Sequence, residues 1–109
     1  MKKNAAAAMI AVLLAAAPAA VAADADARSE NFQTYCSVCH GDDGKGQTEE
    51  GKKKGARDLT NAKWQDKIDD ARMVRSVTKG HDKMPSFEKK LSADEIKALV
   101  AEVRTLAKK

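Results

Sequence analysis

Two cysteines and a histidine fall within five consecutive residues, Cys36-Ser37-Val38-Cys39-His40, and this pentapeptide holds every cysteine of the chain. Cys-x-x-Cys-His is the spacing at which a polypeptide attaches haem covalently. Positions three apart share one side of a helical turn, so Cys36 and Cys39 can each bond one vinyl group along a single porphyrin edge. His40 can then present its imidazole to the iron from one face of the ring.

Three other chemistries use the same residues. A Cys-x-x-Cys redox pair of the thioredoxin kind expects a βαβ context, and no convincing strand is readable here. A structural zinc ion normally takes four Cys or His ligands. Past the amino-terminal apolar run the chain has only four such residues, Cys36, Cys39, His40 and His81, and adjacent Cys39 and His40 would be awkward partners on one tetrahedral ion. A disulfide between Cys36 and Cys39 would close a very small loop and stabilise little.

A haem held by His40 alone leaves its other face open, and Met73, Met84 and His81 could fill it. Pro85 biases Met84 toward an extended conformation in a segment between two helices, where a side chain can turn inward. Met73 falls in a helical pattern and is expected to pack. His81 is the competitor, three residues before Met84 and a stronger ligand for oxidised iron. A thioether prefers reduced iron, so a His/Met pair raises the reduction potential.

The elements that must position these groups are helical. Ser29 to His40 reads as one helix with Phe32, Cys36 and Cys39 at spacings of four and three. Gly41, Gly44, Gly46, Gly51 and Gly55, with charges between them, read as one long loop. Its spacing meets neither nucleotide-binding pattern. Thr60 can cap a short turn carrying Trp64, and Asp69 or Asp70 can cap a helix from Ala71 to Lys79 that ends at Gly80. The last helix has a capping box at Ser92 and Glu95, with Leu91 and Ile96 spaced as a hydrophobic staple. It is expected to reach about Ala107, with Ile96, Leu99, Val100, Val103 and Leu106 as its buried stripe. These elements make an all-α single domain.

The chain is short, 109 residues, with 20 Lys and Arg against 16 Asp and Glu, which excludes a multidomain enzyme. Residues 1–23 read as a secretory signal peptide that is removed: Lys2 and Lys3, the apolar run Ala5 to Ala17, then small residues around Ala22 and Ala23. A retained membrane anchor is the alternative, but the run is mostly Ala and is broken by Pro18. Residues 24–109 then form the domain, with a net charge of +2 and few apolar residues. A core this thin is expected to enclose an insert.

On Cys36-Ser37-Val38-Cys39-His40, the following Gly41-Asp42-Asp43-Gly44-Lys45-Gly46, Asp58-Leu59-Thr60, Met84-Pro85-Ser86-Phe87 and the closing amphipathic helix, the sequence resembles the small monohaem class I cytochromes c of bacteria. The resemblance covers nearly all of residues 24–109. It implies the small cytochrome c fold wrapped around one covalently attached haem, and Met84 as the second axial ligand. In that family a backbone carbonyl, often of a Pro before an x-Leu pair, holds the proximal histidine; here Arg57 precedes Asp58-Leu59. Arg57 can still offer its carbonyl. Its guanidinium, or the Trp64 indole N–H, could instead meet a haem propionate. The closing helix often carries an aromatic where Glu102 stands, and Glu102, off the apolar stripe, is expected to face solvent.

The implied function is a periplasmic one-electron carrier between redox proteins, not an enzyme. A monomer without stable membrane insertion is expected. Lys79, Lys83, Lys89 and Lys90 around the Met84 loop, and the run Lys52 to Lys54, either form a solvated face or steer toward an acidic partner. Nucleic acid is not expected, since base-stacking aromatics are scarce. A haem-based ligand sensor or peroxidase-like subunit with Met84 off the iron is the alternative, as is a small haem subunit of a larger redox enzyme.

Overall fold

The computed structural model describes residues 27–108, and the expected leader lies outside the described residues. Helix begins at Glu30, passes through a π-helical segment, Phe32–Cys36, and continues directly as α1, Ser37–His40. There follow α2 (Glu49–Lys54), α3 (Ala62–Lys67), α4 (Asp70–Lys79) and α5 (Ala93–Arg104). Among the described residues the only β pairing is two isolated bridges, Asn61 with Lys108 and His81 with Met84, as the all-α expectation requires.

Several boundaries differ from those expected, each for a local reason. The first helix is not uniformly α: the Ser37 N–H bonds to the Phe32 carbonyl, five residues back, so the turn entering Cys36 is one residue wider than an α-turn. The glycine-rich stretch is not all loop. Thr48 accepts from the Gly51 N–H and caps α2, Glu49 and Glu50 occupy its first turn, Lys52 to Lys54 its last, and Gly55 closes it in the left-handed region. Asn61, rather than Thr60, caps the Trp64 helix. Asp69 caps α4, which begins at Asp70. The capping box of α5 is present as expected, but the helix ends at Arg104.

One apolar cluster joins the π-helical segment, α3, α4 and α5. Phe32 is fully buried beside Leu59, Phe87, Leu91, Ile96, Leu99 and Leu106. Tyr35 meets Phe87 edge-on, with ring centroids 5.7 Å apart. Polar staples supplement this small core. Arg104 donates to the carbonyls of Gln65 and Ile68 at 2.6 Å each and to Asp70 at 2.8 Å, joining the end of α3 to the start of α4. Buried Gln65 donates to the Leu59 and Val103 carbonyls.

Candidate haem site

His40 ends α1, and its ring is oriented by a backbone atom far along the chain. Nδ1 lies 2.9 Å from the Arg57 carbonyl oxygen. A carbonyl can only accept, so Nδ1 carries the proton and Nε2 keeps its lone pair. Burial lowers the pKa of His40, with the Arg57 bond acting in the opposite direction. The neutral imidazole is the ligating form. Cys36 and Cys39 are both free and half-buried. Burial pushes the Cys36 thiol up to about 11, with smaller contributions from Glu102 and Cys39.

The glycine-rich stretch fixes this arrangement from outside. The Gly46 N–H donates to the His40 carbonyl at 2.8 Å. A Cβ on Gly46 would lie 2.6 Å from the Ala56 oxygen and 3.1 Å from that of Arg57, the acceptor of His40. The Thr48 hydroxyl is shared between the Val38 and Cys39 carbonyls, at 2.7 and 3.1 Å. Gly51 brings α2 so near that a Cβ there would land on the Cys39 carbonyl oxygen. Sequence reasoning passed over Thr48 and read Gly51 as part of a loop; Thr48 three residues before Gly51, followed by two glutamates and then three lysines, was the available signal for a capped helix.

Met84 sits on a tight turn. Its N–H and carbonyl both pair with His81, at 2.8 and 3.0 Å, around Asp82 in the left-handed region. The loop is then fastened to α4: Ser86 Oγ donates to the Thr78 carbonyl at 2.6 Å and the Phe87 N–H to that of Val77 at 2.9 Å. Met84 is half-buried and packs against the apolar cluster. His81 has a side chain 62% exposed, and its Nε2 lies 3.3 Å from Asp82. Met73 is buried within α4.

A cavity of about 670 Å³ lies between these elements, within the range of roughly 300–1,000 Å³ typical of cofactor sites. Cys36, Cys39, His40, Met84, Arg57 and Trp64 all line it, as do Met73 and His81. The Arg57 guanidinium lies over the Trp64 ring, 4.8 Å from its centroid. Among the described residues no three His, Cys, Asp or Glu side chains gather to hold a bare metal ion. The donor set fits a large, mostly apolar prosthetic group carrying its own metal: two free thiols, the imidazoles of His40 and His81, the thioethers of Met73 and Met84, and a cation beside an indole. Glu102, off the apolar stripe as expected, is partly exposed, and both its carboxylate oxygens accept hydrogen bonds from Ser29.

This fold and this site define a small c-type cytochrome, a class whose cofactor is a covalently attached c-type haem. The chain belongs to the family described as cytochrome c oxidase, cbb3-type, subunit III, whose model matches residues 23–101. It is 38% identical over 79 residues to the cbb3-type cytochrome c oxidase subunit FixP of Azorhizobium caulinodans, covering 72% of this chain and 26% of that one. It is 36% identical over 84 residues to the subunit of the same name from Bradyrhizobium sp., covering 76% of this chain and 28% of that one. The chain thus spans only about a quarter of the length of these relatives. Among solved structures it resembles the KustC0563 c-type cytochrome, with a TM-score of 0.68 and 38% identity over 72% of this chain and 94% of that one. A mutant of the same cytochrome gives 0.64 and 40%, over 68% and 90%.

Proposed function

We propose that the protein is a periplasmic one-electron carrier in which Cys36 and Cys39 attach the haem and His40 and Met84 are its axial ligands. The haem supplies the redox couple, and the chain supplies the ligands, their orientation and the surrounding dielectric. One observation carries this reading: Met84, half-buried on a loop fastened to α4, lines the cavity with His40, whereas His81, which also lines it, has an exposed side chain paired with Asp82. A site with both positions filled leaves none for oxygen or peroxide, which argues for a carrier rather than an enzyme.

The remaining features are consistent with that role. Arg57 and Trp64 are suited to hold a propionate: the pair is stacked, lines the cavity, and the indole N–H has no hydrogen-bond partner among the described residues. Lys54, Lys83 and Lys90 also line the cavity, and Lys83, Lys89 and Lys90 make no ion pair between described residues. This surface would steer an acidic redox partner in a salt-dependent way. Residues 1–23 would direct export, and no helix among the described residues is long and apolar enough to cross a membrane. A second reading, a haem subunit that delivers electrons within a larger oxidase, is favoured by the FixP relatives.

The test is the spectrum of the oxidised holoprotein made in a host that matures c-type haem. The weak red-edge sulfur-to-iron charge-transfer band is expected and should vanish in Met84→Ala while surviving in His81→Ala. Carbon monoxide binding to the reduced wild type at low concentration would overturn the carrier reading.

A further inference from the structure

His81 and Met84 stand at the two ends of one tight turn. The Met84 N–H donates to the His81 carbonyl at 2.8 Å and the His81 N–H to the Met84 carbonyl at 3.0 Å, an antiparallel bridge that exchanges both bonds around Asp82 and Lys83. Residues directly opposite in such a pair project their side chains to one face, with Cβ atoms about 5 Å apart. Both residues accordingly line the same cavity.

The turn is tied down on both sides. Before it, the Gly80 N–H donates to the Ser76 carbonyl at 2.9 Å; after it, the Phe87 and Glu88 N–H groups donate to the Val77 and Thr78 carbonyls at 2.9 and 3.3 Å. Loss of the Met84 thioether from the site therefore leaves the His81 backbone in place. The ring itself is held only at the surface, where Nε2 lies 3.3 Å from the Asp82 carboxylate and both side chains are largely exposed. A contact of that kind restrains its members weakly, and a change of side-chain rotamer is enough to turn the ring inward.

Other cavity residues are less suited to replace Met84. Lys83 and Lys90 line it as well, but an ammonium has no lone pair to give until it loses its proton, whereas a neutral imidazole has one. Met73 is buried and fixed within α4.

We propose that His81 is a reserve axial ligand: when the Met84 thioether is off the iron, the His81 imidazole takes its place, and the site stays closed to small ligands such as carbon monoxide. The inference rests on the reading of Met84 as the resting ligand.

The test uses holoprotein variants at neutral pH. Oxidised Met84→Ala should lack the sulfur-to-iron band yet remain low-spin, with the electron paramagnetic resonance signature of two imidazoles. Met84→Ala combined with His81→Ala should be high-spin. If His81 leaves the position vacant roughly a tenth of the time, the reduced single variant binds carbon monoxide about tenfold more weakly than the double variant. A high-spin Met84→Ala or equal carbon monoxide affinities overturn the proposal, and so does a low-spin double variant, which would assign the ligand to a lysine. If Met84→Ala does not accumulate, guanidinium titration of oxidised wild type and His81→Ala carries the same test. Once the sulfur band is lost, wild type should stay low-spin and His81→Ala become high-spin; identical spin states overturn the proposal. A sulfur band absent from wild type, or retained in Met84→Ala, would instead remove the underlying reading.

Discussion

Gly80 lies against the carbonyl of Met84, so near that a Cβ on Gly80 would come within 2.8 Å of that oxygen and 3.1 Å of the Ser86 nitrogen. Its φ of +88° is one that side chains rarely adopt. The residue ending α4 therefore sets where the Met84 loop begins. Gly80→Ala is expected to cost about 1–3 kcal/mol, from backbone strain and the close approach together. Calorimetry of the holoprotein would measure the loss, and the oxidised spectrum should show a weakened sulfur-to-iron band. An unaltered band would detach Gly80 from the placement of Met84.

Thr48 caps α2 and also bonds the Val38 and Cys39 carbonyls. Thr48→Ala should destabilise by about 1–2 kcal/mol, the upper part of the range for a lost cap, because two further acceptors lose their donor. Thr48→Ser keeps the hydroxyl and should recover most of that. Denaturant midpoints at unchanged slope provide the comparison.

Arg57 contributes twice, through its carbonyl to His40 and through its guanidinium over Trp64. Arg57→Gln leaves the first intact. The charge-transfer band should persist while the reduction potential falls, since losing a cation favours the oxidised form. Disappearance of the band would mean that the side chain, and not only the carbonyl, supports ligation.

The Glu95 carboxyl is held below its ordinary value of 4.5, first by the Ser92 backbone N–H, then by the Asn31 and Ser92 side chains. A depressed folded-state pKa contributes stability that is present above the unfolded value and is lost as pH falls through the folded one. Stability should therefore decline below about 4.5. Glu95→Gln should flatten that part of the acid limb in a pH series of thermal midpoints. An identical acid limb in wild type and variant would exclude Glu95 as its source.

Much of this was legible in the sequence, for reasons that differ by element. The Cys36 to His40 spacing and the Ser92 and Glu95 capping box are local patterns whose chemistry lies in adjacent residues. Helix α2 was hidden because Gly51 reads as a breaker, yet Gly51 is required there by the approach to the Cys39 carbonyl, a contact across 12 residues. The π-turn was hidden because Phe32, Cys36 and Cys39 fit an ordinary helical period equally well. The partner of Glu102 was hidden because periodicity reports which positions are apolar. It does not report a carboxylate bonded across 73 residues to Ser29.

The bonds that orient His40 are all short in sequence: Gly46 to His40, Thr48 to Val38 and Cys39, and His40 to Arg57 across 17 residues. Closing such loops costs less chain entropy than joining Ser29 to Glu102, and short-range contacts favour early formation. Pulsed hydrogen exchange during refolding should protect the Gly46 and Gly51 amides ahead of the Ser29 amide. On that order of events, the nascent domain arranges its two thiols and imidazole while its carboxy-terminal end is still undocked, leaving the crevice open on one side for as long as a bulky planar group needs to enter.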